Sequence, residues 1–112
     1  MSGTQVAAHS LVRDTGETIL ALRREAVLAV ARQRQITESL SEARARADAV
    51  EDEARRALAR GGEFLARQVL ARGLFALETR RQLESDLEEA RRHVARLLDG
   101  VVRAENRAWG LR

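Results

Sequence analysis

Chemistry in a chain of 112 residues starts from nucleophiles, metal ligands and paired acids and bases, and here these are few. There is no cysteine, and the only histidines, His9 and His93, are far apart in the chain. A metal site needs three or four ligands brought together, so both histidines read as solvated helix-surface side chains and no metal is expected. The acidic run Glu51-Asp52-Glu53 has the character of a charged helix flank. No serine, histidine and acid assemble into a triad. Arg60-Gly61-Gly62 follows no strand and lacks the spacing of a phosphate-binding loop. The sequence therefore predicts no catalytic residue, no cofactor and no enzyme.

Arginine is the chemistry that remains. All twenty basic residues are arginine, against seventeen acids, for a net charge of +3. Exclusive use of arginine is a mark of GC-rich bacterial coding sequence, and arginine suits repeated carboxylate pairing. Its distribution is uneven. Residues 55–81 carry seven arginines against Glu63 and Glu78, which leaves the rest of the chain with a net −2. A basic patch of this kind meets anionic lipid, nucleic acid or an acidic protein surface. Nucleic acid is the weakest of the three, because no stacking aromatics stand beside the arginines. A second reading pairs the same arginines with acids of a neighbouring molecule.

The elements that carry these charges are helices. Proline is absent and Ala, Leu, Arg and Glu dominate, which favours helix throughout. Steps of three and four from Ile19 give Leu22, Ala26, Ala29, Gln33, Ile36, Leu40, Ala43, Ala47, Val50, Ala54 and Ala57, apolar at every position but Gln33. That is a coiled-coil seam, with Gln33 as a register-fixing polar residue. A second seam runs Val69, Gly73, Ala76, Arg80, Leu83, Leu87, Ala90, Val94, Leu97, Val101, Ala104 and Ala108, interrupted by Gly73 and Arg80.

Half of the first seam is alanine, which buries little area, so length and flanking Val27, Val30 and Leu58 must add stability. Two seams separated by Gly61-Gly62 predict an all-α fold. It is a single long antiparallel helical hairpin over residues 1–112 that oligomerises. Arm one covers about 4–62, a turn region about 61–73 and arm two about 74–108. The competing reading is one continuous helix that dimerises, with each glycine tolerated at about 1 kcal/mol. A turn at the glycines themselves would set Ile19 opposite about residue 104 with matched arms, and a later turn near Arg67 to Gly73 would leave the start of the first seam to another molecule. With the reversal between about 61 and 73, the hairpin reading pairs Leu58 with Ala76. Ser2 or Thr4 caps the first helix, Asp14-Thr15-Gly16-Glu17 restarts or frays it, and Trp109-Gly110 stops the second. No apolar run approaches the ~20 residues that cross a bilayer, and a cytoplasmic protein, peripheral at the inner membrane, is expected.

The stretch ALARGGEFLARQVL, residues 57–70, resembles the middle of the helical hairpin in the family of phage shock protein A and the vesicle-inducing protein of plastids, bacterial relatives of the ESCRT-III membrane-remodelling proteins. That family carries a pattern close to A-L-x-x-G-x-E-D-L-A-R-x-A-L. Ala57-Leu58, Gly61, Glu63, Leu65-Ala66-Arg67 and Leu70 match it, while Phe64 replaces an acidic residue and Val69 an alanine. Upstream, ETILALR (17–23) and AVARQRQITESLSEA (29–43) are similar to the family's first long helix.

The resemblance covers residues 10–80 and implies a hairpin whose tip falls at or just after Leu65-Ala66-Arg67. It implies a membrane-stress protein that self-assembles or joins a longer family member, or a regulatory module that holds an ATPase transcription activator inactive. With no family input, the reading is a plain coiled-coil adapter. The family's N-terminal amphipathic helix and later helices are missing, as in an excised hairpin core or a short relative. The assembly or partner-binding residues expected at the tip are Arg60, Glu63, Leu65, Arg67, Leu70 and Arg72, and the membrane-contact residues are Arg55, Arg56 and Trp109. Membrane contact is expected to be weak, confined to anionic lipid and purely electrostatic, with no apolar wedge at the tip.

Overall fold

A computed structural model describes residues 3–110 of the chain. Helix α1 spans Gly3–Gly61, α2 Glu63–Arg72 and α3 Leu74–Gly110, and no strand occurs among the described residues. The protein is an all-α antiparallel helical hairpin with coiled-coil packing. Ser2 lies outside the described residues, as does the Thr4 side chain. Asp14-Thr15-Gly16-Glu17 neither starts nor ends a helix. The Thr15 and Thr18 hydroxyls donate to the carbonyls of Leu11 (2.8 Å) and Asp14 (2.9 Å) one turn back, inside α1. Polar side chains here bond along the helix instead of capping a new one.

The chain forms two compact units, one of residues 33–89 and one whose described residues are 3–32 and 90–110. In the first unit the chain reverses at a single residue. Gly62 has φ 86° and ψ −171°, a region open almost only to glycine. Helix α2 begins at once, with the Ala66 amide donating to the Gly62 carbonyl at 3.2 Å. Ala54 and Ala57 of α1 then form one buried cluster with Ala66 and Val69 of α2.

Gly73 separates α2 from α3 only slightly. Its amide donates to the Val69 carbonyl at 3.0 Å, and Leu77 donates to the Gly73 carbonyl at 3.2 Å, so helical phase continues. A Cβ on Gly73 would lie 2.6 Å from Val50 Cγ2. Glycine at this seam position is what lets the two arms close.

Most of residues 61–73, read from the sequence as the turn, is thus helix already packed on α1. The tip does not fall at or after Leu65-Ala66-Arg67, which lies within α2 on the returning arm. The pairing of Leu58 with Ala76 is corrected for the same reason. Val50 faces Gly73, which puts Ala47 opposite Ala76, eleven positions from Leu58. The sequence reading allotted a dozen residues to a reversal that positive φ accomplishes in one.

Every position of both seams is buried or half-buried. In the second unit, Ile19, Ala26 and Ala29 are buried on α1 and Ala90 and Ala104 on α3, and Arg23 pairs with Glu105 at 2.6 Å. Nine of the thirteen buried apolar residues are alanine, and Leu40 is the one large side chain below 2 % exposure. The flanks add less than the composition implies. Val30 is half-buried, but Val27 is 69 % exposed and Leu58 is also exposed. Two helices cover one narrow stripe on each other, and both side chains point away from it.

Two outcomes test this register. Gly62→Ala is expected to lower unfolding free energy by about 1–3 kcal/mol. Gly16→Ala, inside α1 with nothing within 4 Å of its added Cβ, should raise it by about 0.5–1 kcal/mol; urea unfolding followed by circular dichroism measures both. Separately, Ala54→Cys with Val69→Cys should cross-link within one molecule at high dilution, and Leu58→Cys with Ala76→Cys should not. Dimers alone from the first pair would mean that the arms belong to different chains.

Candidate functional site

The turn gathers most of the residues singled out from the sequence. Arg55, Arg56 and Arg60 occupy the last two turns of α1, and Glu63, Leu65, Arg67, Leu70 and Arg72 lie on the ten-residue α2. All eight are exposed. Trp109, the ninth, is exposed on α3 and belongs to the other unit.

Local chemistry explains the order here. Glu63 sits in the first turn of α2, where the helix dipole favours a negative charge. It pairs with Arg67 one turn on, an i,i+4 arrangement on an exposed face. Leu65 folds back over Gly61, where a Cβ would come within 2.6 Å of its Cδ2. Gly61 thus makes room for Leu65 while Gly62 supplies the torsion. Arg55 pairs with Asp52 at 2.5 Å and reaches Glu51 at 3.6 Å, and Arg72 stands 3.9 Å from Glu53. Among the described residues, Arg56 and Arg60 have no carboxylate partner.

The reversal at Gly62 also redistributes the charge read from residues 55–81. Residues 54–72, which surround the turn, hold five arginines against Glu63 alone. Arg80, counted with the tip from the sequence, is drawn away from it. Only 24 % exposed, its guanidinium donates to Glu51 and, at 3.2 Å, to Asp48 on α1. The hydrogen bond to Glu51 raises the Arg80 pKa above the ordinary arginine value. Partial desolvation opposes this, while the charges of Glu51, Asp48 and Glu84 reinforce it. The interruption of the second seam is therefore an ion-paired strut between the arms.

Sequence reasoning missed two residues. Phe64 is 74 % and Phe75 83 % exposed, each more open than any other large apolar side chain described. The signal was available in the spacing. Once the second seam is extended back from Val69 to Ala66, residues 64 and 75 fall on the opposite face of the helix, eleven residues or about three turns apart. Phe64 thus stands exposed two residues from Gly62, beside a turn read from the sequence as having no apolar wedge.

Leu65, Gln68, Ala71 and Arg72 line an open groove of about 380 Å³ along α2. It is too shallow to enclose a small molecule. Among the described residues no polar or charged side chain is buried, and no group of three His, Asp or Glu side chains stands close enough to hold a metal ion. No described helix is long and apolar enough to cross a membrane. No protein family, curated protein or solved structure matches the chain. What the site offers is a surface of arginine and exposed apolar side chains around a tight turn.

The Arg80 strut is open to measurement. A double-mutant cycle of Arg80→Ala and Glu51→Ala in urea unfolding should give a favourable coupling that shrinks at high salt. Zero coupling at low salt would mean that Arg80 merely interrupts the seam.

Proposed function

We propose that this chain works by association and not by catalysis. It acts as a coiled-coil subunit of the phage shock protein A type that self-assembles in the cytoplasm, peripheral to the inner membrane, in a response to membrane stress. Its partners are further copies of itself or a longer chain of the same kind. The resemblance of residues 57–70 and of the upstream segments to that family supplies the prior for this reading.

The observation that carries the self-assembly is a second set of seam-spaced apolar residues that the hairpin leaves uncovered. On α3, Ala95, Leu98 and Val102 recur at intervals of three and four, and all are exposed. On α1, Leu20, Val27 and Ala31 recur at seven and four, equally exposed. Both stripes belong to the unit of residues 3–32 and 90–110. An a/d repeat is the pattern that packs one helix on another. Burying a Leu or Val side chain gains about 1.5–3 kcal/mol relative to leaving it in water. A hairpin whose first seam is half alanine and that leaves Leu20, Val27, Leu98 and Val102 exposed has apolar side chains for another helix to cover.

Sedimentation velocity over a concentration series tests the reading. The chain should assemble beyond a monomer as concentration rises. Leu98→Glu with Val102→Glu should weaken that assembly at least about a hundredfold and leave helix content unchanged. A monomer at every concentration would overturn the self-assembly.

A further inference from the structure

The apolar residues at the turn belong to neither stripe described above and carry a different inference. We propose that the turn end of the hairpin is a lipid-docking wedge that enters an anionic membrane surface end-on. Phe64, Leu65 and Leu58 go into the boundary between headgroups and acyl chains, and Arg56, Arg60 and Arg67 stand among the lipid phosphates. The inference rests on the membrane-associated reading above and names the contact that reading leaves open.

Position is the first argument. Leu58, Phe64 and Leu65 are all exposed and lie within four residues of Gly62. At 1.5 Å per residue this is about 6 Å of helix axis, close to the depth at which interfacial apolar groups settle. Arg56, Arg60 and Arg67 lie within six residues of Gly62, or about 9 Å. Entry of the apolar group thus brings the guanidinium groups to the headgroups. Gly61 and Gly62 carry no side chain at the apex, and Glu63 beside them has its carboxylate held by Arg67.

Charge is the second argument, and it separates the possible occupants. Of the five arginines in residues 54–72, Arg55 and Arg72 pair with Asp52 and Glu53 and Arg67 pairs with Glu63, while Arg56 and Arg60 have no carboxylate partner among the described residues. Each basic residue near an anionic surface contributes about 1 kcal/mol, and that attraction fades within a Debye length of about 8 Å at physiological salt. The arginines stand about within that reach when Phe64 enters. A second copy fits less well. Two turn ends repel each other, and three apolar side chains fall short of the roughly 800 Å² per partner that a stable interface buries. A nucleic acid supplies the phosphates but no apolar phase for Leu58 and Leu65. Phe75, although more exposed than Phe64, lies thirteen residues from Gly62, about 20 Å along the helix, and stays outside an end-on contact.

Co-sedimentation with vesicles of mixed phosphatidylcholine and phosphatidylglycerol, and with vesicles of phosphatidylcholine alone, provides the test. The chain should bind the mixed vesicles and not the neutral ones. Phe64→Ala should weaken binding about tenfold, and Arg56→Gln with Arg60→Gln about thirtyfold at low salt. Phe75→Ala should leave it unchanged. In a Trp109→Phe background, the emission of Phe64→Trp should shift to the blue when mixed vesicles are added. Binding insensitive to Phe64→Ala, equal loss with Phe75→Ala, or no binding to mixed vesicles would each overturn the wedge. Should Phe64→Ala instead change sedimentation without lipid, a second copy is the occupant and the lipid assignment fails. Loss of the wedge leaves the assembly reading standing, because sedimentation of the lipid-free chain judges that separately.

Discussion

A φ of 86° at Gly62, with ψ close to 180°, turns the chain back on itself within one residue, and the pairing of the arms in the turn unit follows from it. Because no loop intervenes, Ala66 and Val69 reach Ala57 and Ala54 directly, and the returning helix enters the seam within its first turn. Seven residues later the same seam requires a second glycine. Val50 occupies the space where a Cβ of Gly73 would go. The two glycines have opposite reasons: Gly62 is needed for its torsion and Gly73 for its missing side chain. Helical hydrogen bonds through Gly73 keep α2 and α3 in phase, so one seam serves both.

The alanine content of that seam is the counterpart of this close approach. Alanine loses no side-chain entropy on burial and lets helix axes come near, but each burial gains little area. Ion pairs between the arms supplement it at intervals: Arg23 with Glu105 in one unit, and Arg44 with Glu84 and Arg80 with Asp48 and Glu51 in the other. Most of these are exposed and hold register more than they hold energy. Arg80 is the exception in position. It occupies a seam site, and its two acceptors lie on α1, so a residue that breaks the apolar series ties the arms together across it.

The seams themselves were legible in the sequence, because a strict alternation of three and four residues has one structural meaning in a chain without proline. Gln33 and Arg80 fall into place with the rest, half-buried at the positions the spacing assigns. The register was legible only as alternatives, a turn at the glycines or one nearer Arg67 to Gly73. A glycine pair in a helical sequence is compatible with a kink, a loop or a one-residue reversal, and only the torsion at Gly62 decides among them. Leu58 was placed against Ala76 because the reversal was given a dozen residues, and the structure gives it one. The exposure of Phe64 was hidden by the same error. With residues 61–73 read as a turn, no face could be assigned to the side chain at 64.

The distribution of side-chain size links the fold to the functional reading. In a chain that folds for its own stability alone, large apolar residues are expected where burial gains most, in the seam. Here half of the α1 seam is alanine, while Leu28 is 70 % exposed and Leu20, Val27, Leu98 and Val102 line stripes outside the seams. Helical propensity does not demand this, since leucine and alanine are both good helix formers. Nor does solubility, which exposed leucine and phenylalanine reduce. The arrangement makes sense when the hairpin is a component that another surface completes. The stripes in the unit of residues 3–32 and 90–110 have the spacing that another helix fills. The turn has no such repeat, and the proposed occupant there, a lipid surface, needs none to meet Leu58, Phe64 and Leu65.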